Sequence, residues 1–252
     1  MTIVDTNILY YKHKNSNYDF DISNSYITSI NALEFLKNIE KRHVNRANYY
    51  IPLVYGSLHE MLFVKSKNHT SKPFNRRSSD SIQFDFKSEY ESYVLYNNLS
   101  ISDAINNGKQ PLFNSSIDFL TKETYKDIRN KFQFILEHGL NCLPISTQDI
   151  DFGYILLDIF TKSHPLKDDF RNSWNDILIL SKALNCGARL ITEDKLLNKF
   201  ASEIFSVKMN SLGGGAIEID FSKKQEDIDD FMKLESKGYV NRGWQYKINN
   251  RR

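Results

Sequence analysis

Residues 175–197 read NDILILSKALNCGARLITEDKLL, and this stretch decides the fold class. Its apolar side chains recur at the spacing of one helical face, at Ile177, Leu180, Ala183 and Leu184. Gly187 stands where such a helix would end, and residues 188–194 follow at once as a short strand that finishes in acids. A helix joined to a strand by so short a link predicts a parallel α/β sheet.

The same succession of strands and helices is predicted on either side of this unit. Further strands are predicted over 2–5, 49–54 and 140–146, and helices from about Ser29, over 116–139 and over 147–163. Asn172 or Ser173 is the expected N-cap of the helix that carries Asp176. Between about 66 and 116 no periodicity is visible, so this region is predicted to be mixed or irregular.

The composition of the 252 residues, 40% hydrophobic and 25% charged with a formal net charge of +2, is that of an ordinary globular protein. Two cysteines and six histidines without metal-ligand spacing argue against a zinc site or a redox motif. We find neither a signal peptide pattern nor an apolar run near the roughly 20 residues that a membrane helix requires. A reducing, cytoplasmic location and no membrane partner are therefore expected.

Carboxylates follow two of the predicted strands and begin a predicted helix. Asp5 and Asp194 each end a strand, and Asp176 lies near the start of a helix. The carboxyl ends of parallel strands meet at one edge of a sheet, so these acids are expected to lie together. Oxygen ligands without His or Cys suit Mg²⁺ or Mn²⁺. Each acid alone also has a structural explanation, as a turn former, an Asx-turn or a partner of the helix dipole.

Four segments together resemble the PIN-domain nuclease family, which includes the VapC-type ribonuclease toxins. They are IVDTNIL around Asp5, ITSINALEFL around Glu34, LPISTQDIDFGYILL before the third acid, and the 175–197 stretch with Asp176 and Asp194. The resemblance covers about residues 1–45 and 140–200. The resemblance implies a three-layer α/β/α fold with a central parallel sheet. In this chain, that fold would be enlarged by a mostly helical or irregular insertion over about 45–140.

The resemblance further implies a division of the chain and a set of catalytic acids. A PIN-like nuclease domain is expected over 1–220, followed by a basic, aromatic extension over 221–252. The acids Asp5, Glu34, Asp176 and Asp194 would be catalytic, with Asp5, Asp176 and Asp194 as metal ligands. Glu60, which also follows a strand and opens a helix, is an alternative to Glu34. We prefer Glu34 because Thr28, Asn31 and Glu34 repeat the hydroxyl–polar–acid spacing of the family.

The implied reaction is metal-dependent hydrolysis of a phosphodiester bond, with RNA as the expected substrate and DNA not excluded. Residues 41–80 carry eight basic side chains against two acids, and residues 237–252 add five basic and three aromatic residues. Cations and aromatic rings of this kind bind phosphates and unstacked bases. We therefore expect Arg76, Arg77 and Trp244 to contact nucleic acid. An antitoxin protein and a homodimer are further partners that the family suggests.

Two other classes of protein compete with the nuclease. One is a PIN-like RNA-binding or scaffold protein that does not cut, although the presence of all the candidate acids argues against it. The other is a phosphatase of the haloacid-dehalogenase type, which also begins with an acid at a strand end. That chemistry requires a second Asp two residues further on, where this chain has Asn7.

Overall fold

The computed structural model describes residues 1–14, 19–37, 80–118, 120–205, 207–222 and 242–249. The predicted strand over 49–54 and the alternative acid Glu60 lie outside these residues. The described strands are β1 (Thr2–Val4), β2 (Tyr26–Thr28), β3 (Ser81–Asp85), β4 (Tyr93–Tyr96), β5 (Asn141–Leu143), β6 (Arg189–Thr192), β7 (Lys208–Gly213), β8 (Ala216–Asp220) and β9 (Gln245–Asn249).

Eight helices occur in the described part of the chain. They are α1 (Thr6–His13), α2 (Ser29–Leu36), α3 (Asn98–Asn106), α4 (Gln110–Ser116), α5 (Lys122–Glu137), α6 (Thr147–Ser163), α7 (Phe170–Asn185) and α8 (Lys195–Phe205). The fold is therefore α/β. In the part of the chain described, no helix is both long enough and apolar enough to cross a membrane.

The central sheet has six strands in the order β5-β2-β1-β6-β8-β7. The four strands β5, β2, β1 and β6 run parallel, whereas β8 pairs antiparallel with β6 and β7 antiparallel with β8. The predicted central parallel sheet is therefore found as a mixed, mostly parallel sheet with an antiparallel edge. The chain reverses there through the glycine-rich turn between β7 and β8, which is too short for the helical crossover that a parallel pair requires.

Both faces of the central sheet are buried. Neighbouring strand residues point to opposite faces, and Ile3 and Leu190 accordingly belong to one apolar cluster while Val4 and Ile191 belong to another. Helices α6 and α7 contribute to the first cluster, and α1, α2 and α5 contribute to the second. This arrangement is compatible with three layers, helices–sheet–helices.

A second sheet joins the middle of the chain to its end. It has the order β4-β3-β9, and both pairings are antiparallel. Phe84 and Phe86 place this sheet against Trp174 of α7, with ring centroids 5.3 and 5.2 Å apart. The described residues after 80 in the expected insertion thus form strands as well as helices. Residues 242–249 of the expected extension pack on the core.

The unit from α7 to β6 forms largely as predicted, and its boundaries show what the sequence signals missed. Gly187 ends the helix with φ 54°, and β6 follows over the expected residues. The N-cap is Asp169, whose side chain accepts from the Arg171 N–H, and not Asn172 or Ser173. Asp176 consequently lies more than one turn inside α7. Helix α1, which was not predicted, begins directly after Asp5.

A buried ion pair fixes α6 against α7. The carboxylate of Asp149, 1% exposed, accepts from the Lys182 Nζ at 2.7 Å and from the Asn185 amide at 3.0 Å. The same carboxylate closes the capping box of α6 with Ser146, whose backbone N–H donates to it at 2.7 Å. Asp149 thus orders the strand-to-helix connection that leads towards the third acid of the predicted site.

Candidate acidic active site

Asp5 is held at the carboxyl end of β1 by neighbours from three other elements. Its Oδ1 accepts from the Thr6 N–H at 2.7 Å and from the Asn31 amide at 3.2 Å, and its Oδ2 accepts from the Thr192 hydroxyl at 2.6 Å. Asp5 is also the N-cap of α1 and is 5% exposed. Three hydrogen bonds therefore fix both oxygens of a buried carboxylate.

Glu34 reaches the same place from α2. Its Oε2 accepts from the Thr6 hydroxyl at 2.9 Å, and its Oε1 accepts from the Asn175 amide of α7 at 2.6 Å. Asn31, one turn earlier, forms a capping box with Thr28 and donates to both Asp5 and Thr6. The Thr28–Asn31–Glu34 spacing thus lets Asn31 donate a hydrogen bond to Asp5 and brings the carboxylate of Glu34 next to it.

Asp194 and Asp176 share a lysine, and Asp194 is linked to Asp5 through Thr192. Thr192, which binds Asp5, also accepts from the Asp194 N–H at 3.0 Å. Asp194 Oδ1 accepts from the backbone N–H groups of Leu196 and Leu197, both at 2.9 Å, at the start of α8. The Lys167 Nζ lies 2.5 Å from Asp176 Oδ2 and 2.7 Å from Asp194 Oδ2.

Burial and neighbouring negative charges raise the pKa values of Asp5 and Asp176. Burial raises the pKa of Asp5 to about 6, although the hydrogen bonds from Thr192 and Thr6 lower it. The negative charges of Glu34 and Asp194 raise it further. The pKa of Asp176 lies well above its usual value because of burial, which Lys167 opposes and the charges of Asp5 and Asp194 reinforce. Burial is thus the main cause of both shifts, and the neighbouring carboxylates add to it.

The remaining acid and the lysine show the opposite balance. Burial alone would raise the pKa of Asp194, but hydrogen bonds from Lys167 and from the Leu196 and Leu197 N–H groups hold it below its usual range. Partial burial disfavours the charged amine of Lys167, but Asp176 and Asp194 outweigh it and raise the lysine pKa. The lysine therefore remains charged at neutral pH.

Asp5 gives the protein a specific pH dependence of stability. Its folded pKa of about 6 exceeds the usual aspartate pKa of 3.8, so the folded state holds the proton more tightly, and stability falls as pH rises through that window. In the presence of chelator, the Asp5→Asn substitution is expected to reduce this loss of stability with rising pH. At neutral pH it should gain up to about 3 kcal/mol in unfolding free energy.

Urea unfolding between pH 4.5 and 7.5 measures this difference. Asp127→Asn is a matched control, because the Asp127 side chain is 48% exposed on α5. An Asp5→Asn variant that follows the wild-type pH profile, or that is less stable at neutral pH, would contradict the raised pKa assigned to Asp5.

The donor chemistry of this site fits a divalent cation. The four side chains offer hard oxygen ligands, and the Asn175 Oδ1 is a further buried oxygen with no hydrogen-bond partner, while its amide nitrogen binds Glu34. Among the described residues, no group of three or more His, Cys, Asp or Glu is already arranged to hold a metal ion. In this structure the Thr192 hydroxyl contacts a carboxylate oxygen of Asp5, and the Lys167 amine contacts one oxygen each of Asp176 and Asp194.

A small open pocket gives access to the acids. It measures about 220 Å³ including its mouth, and Lys167, Asp176 and Asp194 line it. Its other walls are largely apolar, from Phe160, Ile177, Leu196 and Leu197. The pocket therefore exposes the carboxylates of Asp176 and Asp194 on one side and apolar side chains on the other.

The residues predicted to bind nucleic acid do not join this site. Arg76 and Arg77 lie outside the described residues. Trp244 is 8% exposed, and its ring packs 5.6 Å from that of Phe86 and 5.7 Å from that of Tyr154. Because a covered ring cannot stack on a base, the role predicted for Trp244 was wrong. Its basic neighbour Arg242 is paired with Glu89 and Asp158.

Sequence reasoning brought the acids together but missed Lys167, Asn31 and Asn175 as site residues. Asn31 had been noted only for its spacing from Glu34, and Asn175 adjoins Asp176 in the sequence. Lys167 had no signal, because it lies in the connection between α6 and α7 and reaches the acids only through the fold. Thr6 and Thr192 contact Asp5, whereas the Asn7 Oδ1 is buried without a hydrogen-bond partner.

Comparison with protein-family models, with curated proteins and with solved structures found no match to this chain. Its class is therefore argued from the site: carboxylates at the carboxyl edge of a mostly parallel sheet, with one lysine between two of them.

Proposed function

We propose that this chain is a metal-dependent nuclease with a PIN-like fold, which hydrolyses phosphodiester bonds and acts on RNA. A single observation carries the proposal. Asp5, Glu34, Asp176 and Asp194 come from four different elements and are linked to one another through Thr6, Thr192 and Lys167. We name these four residues the acidic site.

A divalent cation, Mg²⁺ or Mn²⁺, would be held by Asp5, Asp176 and Asp194. When bound, such an ion supplies a nucleophilic water, neutralises phosphate charge and stabilises the leaving oxygen. The protein's own residues prepare the place for it. Thr192, Asn31 and the Thr6 N–H orient Asp5, and the first turn of α8 orients Asp194. Fixed carboxylates require little reorganisation during the reaction.

Glu34 is assigned to the attacking water. Thr6 and Asn175 each donate to one of its oxygens, so the carboxylate has a defined orientation at the edge of the acidic site. A carboxylate in this position can accept a proton from water or orient it. The hydroxyl of Tyr10 additionally anchors the backbone carbonyl of Glu34 at 2.9 Å.

Hydrolysis by water leaves a 5′-phosphate and a 3′-hydroxyl and does not use the ribose 2′-hydroxyl. RNA as the substrate therefore rests on the family resemblance, and the same chemistry would cleave DNA. An antitoxin partner and a homodimer remain predictions of that resemblance, and a cytoplasmic site of action remains a prediction from the sequence.

The test is cleavage of end-labelled single-stranded RNA and DNA by the purified protein in Mn²⁺, Mg²⁺ or chelator. We expect products with 5′-phosphates in either metal and none in chelator. Equal cleavage in chelator would indicate a contaminating metal-independent ribonuclease. Absence of cleavage of both substrates in both metals would contradict the proposal.

A non-catalytic PIN-like protein that binds RNA is the second candidate. One observation favours it: Lys167 already neutralises two of the four acids, as an internal ion pair does in a structural site. Such a protein would bind the labelled RNA without shortening it, with or without metal. The same assay, read by gel shift as well as by cleavage, separates the two.

A further inference from the structure

We propose that the Lys167 amine and the divalent ion are alternative occupants of the acidic site, so that metal binding requires the amine to leave. This inference rests on the proposed function, because it concerns the same site. It assigns to Lys167 the role of an internal competitor for metal, which keeps the site partly neutralised when no ion is present.

The contacts of Lys167 place its amine in the position of a cation. One nitrogen bridges Asp176 Oδ2 and Asp194 Oδ2 at 2.5 and 2.7 Å. The other oxygen of Asp194 is held by two backbone N–H groups. With the amine in place, both oxygens of Asp194 therefore have hydrogen-bond donors. A divalent ion at Oδ2 would lie beside the positive charge of the amine, and the repulsion between the two cations favours exchange of one for the other.

The surroundings of Lys167 allow that exchange. Its side chain is 37% exposed and lines the pocket, so water can solvate the released amine. Its backbone N–H donates to the Ser173 hydroxyl of α7 at 2.8 Å, which fixes the main chain while the side chain moves. A lysine side chain has a flexible four-carbon stem and makes no bidentate contact with a carboxylate. The amine can therefore leave without rearranging the fold.

Competition of this kind lowers the apparent metal affinity. An ion binds only the fraction of molecules in which the amine is displaced, and the apparent dissociation constant rises in inverse proportion to that fraction. If the amine occupies the site about nine-tenths of the time, removing it strengthens binding about tenfold. The neutral side chain of methionine has a similar length and cannot pair with the carboxylates.

The experiment is a calorimetric titration of metal-free full-length protein with Mn²⁺, without nucleic acid. Wild type is compared with Lys167→Met and with the control Lys162→Met. The control removes a lysine whose side chain is 64% exposed and pairs with Asp158 one turn away on α6. We expect Lys167→Met to bind Mn²⁺ about tenfold more tightly than wild type. Lys162→Met should bind as wild type does.

A second readout is the thermal stability in chelator and in Mn²⁺. Removing the amine leaves Asp176 and Asp194 without their shared cation, so Lys167→Met should unfold at a lower temperature in chelator. Excess Mn²⁺ should raise its melting temperature by more than that of wild type.

The outcomes separate the two proposals. Equal or weaker Mn²⁺ binding by Lys167→Met than by wild type overturns the competition and leaves the nuclease proposal standing. Saturable binding by none of the three proteins overturns the competition and the metal-dependent function together.

Discussion

Asp176→Asn is expected to fold and to lose metal-dependent cleavage by at least about a hundredfold. The substitution keeps the size of the side chain but removes one of the three charges assigned to the metal. Lys167 retains Asp194 as a partner, and repulsion of Asp5 and Asp194 by Asp176 disappears. Loss of activity would therefore follow from lost charge at the acidic site rather than from unfolding.

Single-turnover cleavage of labelled RNA in Mn²⁺ measures this effect, and circular dichroism with urea unfolding reports the fold. Asp127→Asn again serves as the control, because it neutralises an exposed acid on α5 and should cleave as wild type does. Undiminished cleavage by a clean Asp176→Asn preparation would remove Asp176 from the catalytic site.

Lys182→Met is expected to destabilise the protein by about 3–5 kcal/mol, because it leaves the buried carboxylate of Asp149 without its cation. The Lys182 side chain is 11% exposed, and Asp149 also joins Ser146 to the start of α6. The amide of Asn185 and the hydroxyl of Ser146 remain, but neutral donors do not replace the charge. The loss should appear in the free energy of unfolding in urea.

The control is Lys199→Met on α8. Its partner Glu203 lies 3.7 Å away and both side chains are exposed, so a change within about 0.5 kcal/mol is expected. If Lys182→Met lost as little unfolding free energy as Lys199→Met is expected to lose, α6 and α7 would not depend on the buried pair.

The parts of the fold that could be predicted are those with strong local signals. Residues 147–163 form α6 within the predicted bounds, since apolar periodicity and a capping box agree there. Helix α1 could not be predicted, because it is short and its N-cap, Asp5, is also the first acid of the proposed site. The antiparallel edge at β7 and β8 and the pairing of β9 with β3 depend on contacts between distant parts of the chain.

The acidic site shows the same division between local and distant information. Asp5 and Asp194 could be placed at one edge because strand ends are visible in the sequence. The position of Asp176 relative to them depends on where α7 begins. The sequence predicted the N-cap of α7 at Asn172 or Ser173, several residues after the actual N-cap, Asp169. Lys167 and the burial of Trp244 could not be inferred, because each is set by packing between segments that are far apart in the chain.

The most direct measurement of the central claim is a Mn²⁺ titration of wild type and Asp194→Asn, followed by electron paramagnetic resonance of the free ion. The asparagine keeps an oxygen for the Leu196 and Leu197 N–H groups, so the start of α8 is preserved. The account predicts saturable binding to wild type and at least about tenfold weaker binding to the variant. Absence of saturable binding to wild type, or equal binding by both proteins, would contradict it.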